Sequence, residues 1–183
     1  MSKTRRRLLT PLLVALMVGL LAIGVSACGS GNPREVEEGE VVKVGGLEYT
    51  VIFSRYLNAS DPEDVAYLAG QEPVRDDHNY FGVFLQVFNP NHASFSTVSK
   101  LTITDATGKR YVAVPSESEY AFPFGGIVEE QEQVPKFDSS AANGPILGSV
   151  AIFELPEEVS SSRPLLLHIP GAPGDGGTVE LDL

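Results

Sequence analysis

Among side chains able to bind a metal or move a proton, the densest run is Asp76-Asp77-His78, flanked by Arg75 and Asn79, with Asp61, Glu63 and Asp64 upstream. Carboxylate oxygens on one loop suit a hard cation such as calcium, and an imidazole beside them extends the choice to transition metals. The spacing departs from the twelve-residue calcium loop. Acids of this kind ordinarily keep a long surface loop solvated. Asp76, Asp77 and His78 are therefore candidate metal ligands only, and no cofactor is expected. A second run, Glu129-Glu130-Gln131-Glu132, offers carboxyls for glycosidase-type chemistry, but nothing in the sequence sets the separation that chemistry needs. His78, His92 and His168 are dispersed, and a lone imidazole in a turn or strand is usually solvated or structural. The chain has no GxSxG elbow, HExxH pair or P-loop. The expectation is a protein that is not an enzyme.

The single Cys, Cys28, excludes an intramolecular disulfide, a Cys-based zinc cage and a CxxC redox pair. Its surroundings give it another role. Lys3, Arg5, Arg6 and Arg7 open the chain, and no charge follows until Arg34. The stretch Leu8 to Val25 is apolar, and small residues follow it. A basic start, an apolar middle and a small-residue end make a secretory signal. Val25-Ser26-Ala27-Cys28 resembles the bacterial lipobox. The resemblance implies cleavage between Ala27 and Cys28, a diacylglycerol thioether on Cys28, and acylation of the new amino terminus with chains such as palmitate. The alternative is an uncut anchor, since about 18 apolar residues just span a bilayer. Thr4-Arg5-Arg6-Arg7-Leu8-Leu9 resembles the twin-arginine export signal. Three arginines also supply the ordinary positive charge, so the export route stays open.

Removing residues 1–27 takes away four of the 13 Lys and Arg and none of the 24 carboxylates. Nine cations against 24 anions leave the mature chain at −15, against −11 for the whole. Such a surface disfavours nucleic acid and anionic lipid. The mean hydropathy of +0.03 owes much to the export segment.

The remaining residues read as an all-β domain. Residues 28–39 are small, polar or acidic and read as the lipidated Cys and a flexible tether, with the domain at 40–183. Val41–Val44 and a Gly45-Gly46 turn lead into Leu47–Leu57, whose alternation puts Leu47, Tyr49, Val51 and Phe53 on one face. The long connection 58–79 contains one short helix: Asp61 can cap it and Pro62 suits its first position. Tyr80–Phe88 is apolar almost throughout, as for a central strand buried on both faces. A hairpin spans 101–114, 116–144 is irregular, and strands follow near 146–155, 165–169 and 178–183. Phe122, Phe124, Ile127 and Phe137 are expected to cover an open end of the core. Seven or eight strands separated by Gly, Pro and Asn turns predict a β-sandwich, two packed sheets with Greek-key connections.

Three stretches carry a family resemblance: Val83-Phe84-Leu85-Gln86-Val87-Phe88-Asn89-Pro90-Asn91, Leu101-Thr102-Ile103-Thr104-Asp105-Ala106-Thr107-Gly108-Lys109-Arg110-Tyr111, and Gly148-Ser149-Val150-Ala151-Ile152-Phe153-Glu154-Leu155-Pro156. The domain resembles the telokin-like immunoglobulin-fold domain of bacterial lipoproteins and secreted antigens. The resemblance implies no catalytic residues. The expected function is that of an extracytoplasmic lipoprotein, anchored to the cell membrane by lipid and displaying a non-catalytic domain for an envelope protein or ligand, with no nucleic-acid partner. The alternative is a lipoprotein that binds a metal or small ligand through the acidic loop 61–79.

Overall fold

The computed structural model describes residues 35–182. The export segment, Cys28 and most of the expected tether lie outside them. The chain is an all-β sandwich. Its strands are β1 (Glu35–Glu37), β2 (Val41–Val44), β3 (Leu47–Leu57), β4 (His78–Phe88), β5 (Phe95–Ser96), β6 (Thr102–Thr104), β7 (Arg110–Val112), β8 (Ile127–Val128), β9 (Gln133–Val134), β10 (Ser149–Pro156), β11 (Leu165–Ile169) and β12 (Gly177–Leu181). Two short helices, α1 (Pro62–Tyr67) and α2 (Ser140–Asn143), and a 3₁₀ turn at Glu157–Ser161 complete it. One sheet has the order β1-β12-β11-β6-β7; the other runs β10-β4-β3-β2, with β9 also on β4; β5 and β8 form a small ribbon. The strands beyond the seven or eight expected include segments of only two or three residues, too short to show a period.

Two corrections follow. The segment expected as tether ends earlier, because Glu35–Glu37 pairs in parallel with Thr178–Glu180 and buries Val36. Its partner lies about 140 residues away, so no local pattern marks it. Phe53 does not share the inner face with Leu47, Tyr49 and Val51. Val51 pairs with Leu85 and Phe53 with Phe84, so a bulge at Ile52 inserts one residue and turns the following side chains over. Ser54 is buried instead, and Phe53 is 42% exposed.

The main core lies between the sheets. Val42, Tyr49, Phe81, Val83 and Phe153 from one sheet meet Ile103, Leu165, Leu167 and Val179 from the other. A second cluster sits on the outer face of β4 and β10, where Tyr67 and Leu68 pack on Leu57, Tyr80, Phe84 and Ile152. Strand β4 is therefore covered on both faces, as its apolar run requires. The outer cover is α1, and it also walls a cleft.

Candidate functional site

Helix α1 forms where the sequence signals it. The Asp61 carboxylate accepts from the Glu63 amide at 3.0 Å, and Pro62 occupies the first turn. Six residues cannot hold a helix alone. What holds this one is Asp64, which is fully buried. Arg55 of β3 donates through Nη1 to Asp64 Oδ2 at 3.0 Å and through Nη2 to Oδ1. The Asn58 amide adds a bond to Oδ2 at 2.7 Å. The bulge is what aims Arg55 outward, opposite Gly82. The Tyr67 ring meets Phe84 edge-on at 5.1 Å and Tyr120 at 5.0 Å. Gly70 ends the segment at φ +78°, and a Cβ there would stand 2.9 Å from Glu117 Cβ. The Ser118 hydroxyl donates to the Ala66 carbonyl at 2.7 Å, and Gln71 Nε2 to the Pro115 carbonyl at 2.7 Å, tying the segment to the 115–118 loop.

Between α1, the 71–74 loop and the ends of β3 and β4 lies a cleft of about 630 Å³. Leu57, Val65, Leu68, Ala69, Pro73 and Val74 make its apolar walls, and Asn58, Gln71, Glu72 and Asn79 its polar ones. Val65 is 53% and Val74 37% exposed, so water reaches apolar surface here. The Tyr80 hydroxyl donates to the Glu72 carbonyl at 2.8 Å, which pins the loop to β4. Burial raises the Tyr80 pKa, with Glu154 and Glu72 adding to the shift.

The expected metal candidates are placed differently. Asp76 and Asp77 are exposed on the turn before β4. The His78 Nδ1 lies 3.0 Å from the Asp76 carbonyl, and the Asp77 carbonyl accepts from the Glu157 amide at 2.9 Å. Asp61 caps α1, Asp64 pairs with Arg55, and Arg75 Nε donates to Glu154 Oε1 at 2.6 Å, which lowers the Glu154 pKa. Among the described residues, no three His, Cys, Asp or Glu gather where they could hold a metal ion. Glu129 accepts from the Ser94 hydroxyl, and Glu132 stands 3.7 Å from Lys136, both around the β8–β9 turn. His92 is exposed. His168 is half-buried with Thr178 Oγ1 at 3.3 Å, and its pKa is lowered by burial and by Arg110.

Of the four aromatic and aliphatic residues expected over the core, the structure divides the set. Phe122 is buried and meets Phe124 at 5.0 Å, while Ile127 is 65% and Phe137 80% exposed. The cleft itself is absent from the sequence-based expectations. One signal could have pointed to its scaffold: Arg55 is the only basic residue between Lys43 and Arg75, and it stands in an apolar strand upstream of an acidic helix start.

No protein-family profile matches the sequence, and no curated protein matches it. Solved structures do resemble the fold. An uncharacterized beta-sandwich protein from Clostridium difficile 630 aligns with TM-score 0.51 and 15% identity over 82% of this chain and 95% of that one. The yjhA protein from Bacillus subtilis aligns with TM-score 0.52 and 16% identity over 80% and 99%. A secreted protein from Mycobacterium tuberculosis aligns with TM-score 0.49 and 12% identity over 82% and 99%. At such identities the first two likenesses show the fold alone, and the class this chain joins is the β-sandwich proteins.

Proposed function

We propose that this chain is an extracytoplasmic lipoprotein, held to the membrane by acyl chains on Cys28, whose immunoglobulin-like sandwich is a non-catalytic binding domain. Its ligand site is the cleft under α1. The observation that carries the binding reading is that cleft: an open, mostly apolar concavity whose lid is fastened by a buried ion pair. It joins the two readings of the sequence, because its outer wall is the 61–79 segment, taken as a small-ligand site rather than a metal site. The anchoring reading rests on the lipobox-like Val25-Ser26-Ala27-Cys28, which stands seven positions before β1. Two acyl chains suffice for stable attachment, at about 0.8 kcal/mol per buried methylene.

Fractionation of cells expressing Cys28→Ala tests the anchor. Release or mislocalisation of the protein supports it, and continued firm attachment through an uncut helix refutes it. A photo-crosslinking residue tests the site, placed at Ala69 in the cleft or at exposed Ala172 in the β11–β12 turn. An adduct in intact cells from position 69 alone supports the cleft. Equal labelling from both positions, or none from 69, refutes it.

A further inference from the structure

We infer that the cleft selects an amine-bearing small molecule, a cation with an apolar body, over neutral and anionic molecules of the same shape; the inference rests on the binding reading above. The apolar body has its place against Leu57, Val65, Leu68 and Val74. The charge preference follows from the lining. Glu72 is its only carboxylate, and no Lys, Arg or His lines the cleft. The nearby cations are taken: Arg55 by Asp64 and Arg75 by Glu154. Glu72 makes no ion pair among the described residues. Segment 58–79 holds six carboxylates against Arg75 alone, a local charge of −5. An apolar cleft rimmed by one sign of charge concentrates the opposite sign. An anionic ligand would meet Glu72 with no cation to offset it, and a neutral one would gain no attraction from that carboxylate.

The test uses three isosteric compounds on the full chain in non-ionic detergent at pH 7: 4-phenylbutylamine, 4-phenylbutanol and 4-phenylbutyrate. Binding is read as the rise in melting temperature with concentration. The amine is expected to bind about three- to fivefold more tightly than the alcohol, and the acid more weakly than either. Glu72→Gln, at an exposed position, is expected to bring the amine down to the alcohol. Ala69→Trp and Val74→Trp, two separate fillings of the cleft, are each expected to abolish both. Equal binding of amine and alcohol, or an unchanged amine affinity in Glu72→Gln, overturns the charge selection and leaves the cleft standing. Undiminished binding in both tryptophan variants, or no shift with any of the three compounds, overturns the cleft as well.

Discussion

Replacing Asp64 by Ala removes the group that fastens α1 to the sheet, and the structure sets the size of the effect. The Asp64 side chain is 1% exposed and that of Arg55 29%. The truncation strips the guanidinium of both its carboxylate bonds and the Asn58 amide of its acceptor. Breaking a buried pair by removing one partner costs about 3–5 kcal/mol. Arg55 keeps partial contact with water, which replaces some of the lost bonding, so the lower end applies, about 3 kcal/mol. At roughly 2–4 °C per kcal/mol for a chain of this size, the melting temperature falls by about 6–12 °C. Arg55→Met should cost at least as much, because it leaves the wholly buried carboxylate with only the Asn58 amide bond and no cation. The double variant should lose well under the sum of the two. Urea denaturation of the four forms measures this as a double-mutant cycle. A loss below about 1 kcal/mol for Asp64→Ala, or strict additivity, would show that the pair does not hold the helix.

Other positions make equally direct tests. Asn89 is fully buried, and its amide donates to the carbonyls of Ala93, Val128 and Glu129 at 2.8–3.0 Å; Asn89→Ala should cost about 2–4 kcal/mol in urea denaturation. At Gly177 a Cβ would stand 2.4 Å from Val42 Cγ2, where β12 passes close to β2, so Gly177→Ala should lose about 1–3 kcal/mol, and less on a Val42→Ala background than the two single losses predict. Burial raises the Glu38 pKa above 4.5 despite the Ser54 hydroxyl bond, and Asp182 adds repulsion. Ionised Glu38 therefore weakens the fold as pH rises through its folded pKa, and Glu38→Gln should raise the melting temperature at pH 7 but not at pH 4. The Asp105 carboxylate has the opposite sign: bonds from Thr107, Tyr111 and the Lys109 amide hold its pKa below 3.8. Its contribution is present above that value and is lost as pH falls below it, so Asp105→Asn should show a smaller stability loss than the parent between pH 6 and pH 3.

What the sequence showed, and what it hid, follows from range. Strand β4 was legible because nine residues, Tyr80–Phe88, carry one apolar run, though the strand starts two residues earlier at His78, and α1 because Asp61 and Pro62 mark its start within one turn. The hairpin of β6 and β7 was legible because Asp105 closes the turn with bonds to residues two and four positions on. Strand β1 was hidden because its evidence is a partner at Thr178–Glu180. The bulge at Ile52 was hidden because alternation in β3 continues on either side of it, and only the pairing with β4 reveals the extra residue. The cleft was hidden for a different reason. Its apolar walls are Leu, Val, Ala and Pro, residues with no chemistry to announce, and of the acids of the same segment only Glu72 lines it, while Asp61 caps α1 and Asp64 anchors it.

The hidden bulge and the hidden cleft are mechanically one feature. Without the extra residue at Ile52, Arg55 would face the sheet interior, away from Asp64, and Ser54 would point outward, away from Glu38. With it, Arg55 faces α1 and Tyr56 turns inward against Phe81 at 5.1 Å. A six-residue helix and its C-cap then dock on the sheet through an ion pair to β3 and two side chains, Tyr67 and Leu68, packed over β4 and β10. Bonds from Ser118, Gln71 and Tyr80 fix the rest of the cover along its edges. The face beyond it, with Val65 and Val74 exposed, is left open as the cleft. Stability and recognition are therefore coupled through Asp64 in a way they are not at Asn89 or Gly177. A variant at either of those two sites should lower the melting temperature while the remaining folded protein keeps its amine preference. Asp64→Ala should weaken both together, and intact amine binding in that variant below its melting temperature would break the link.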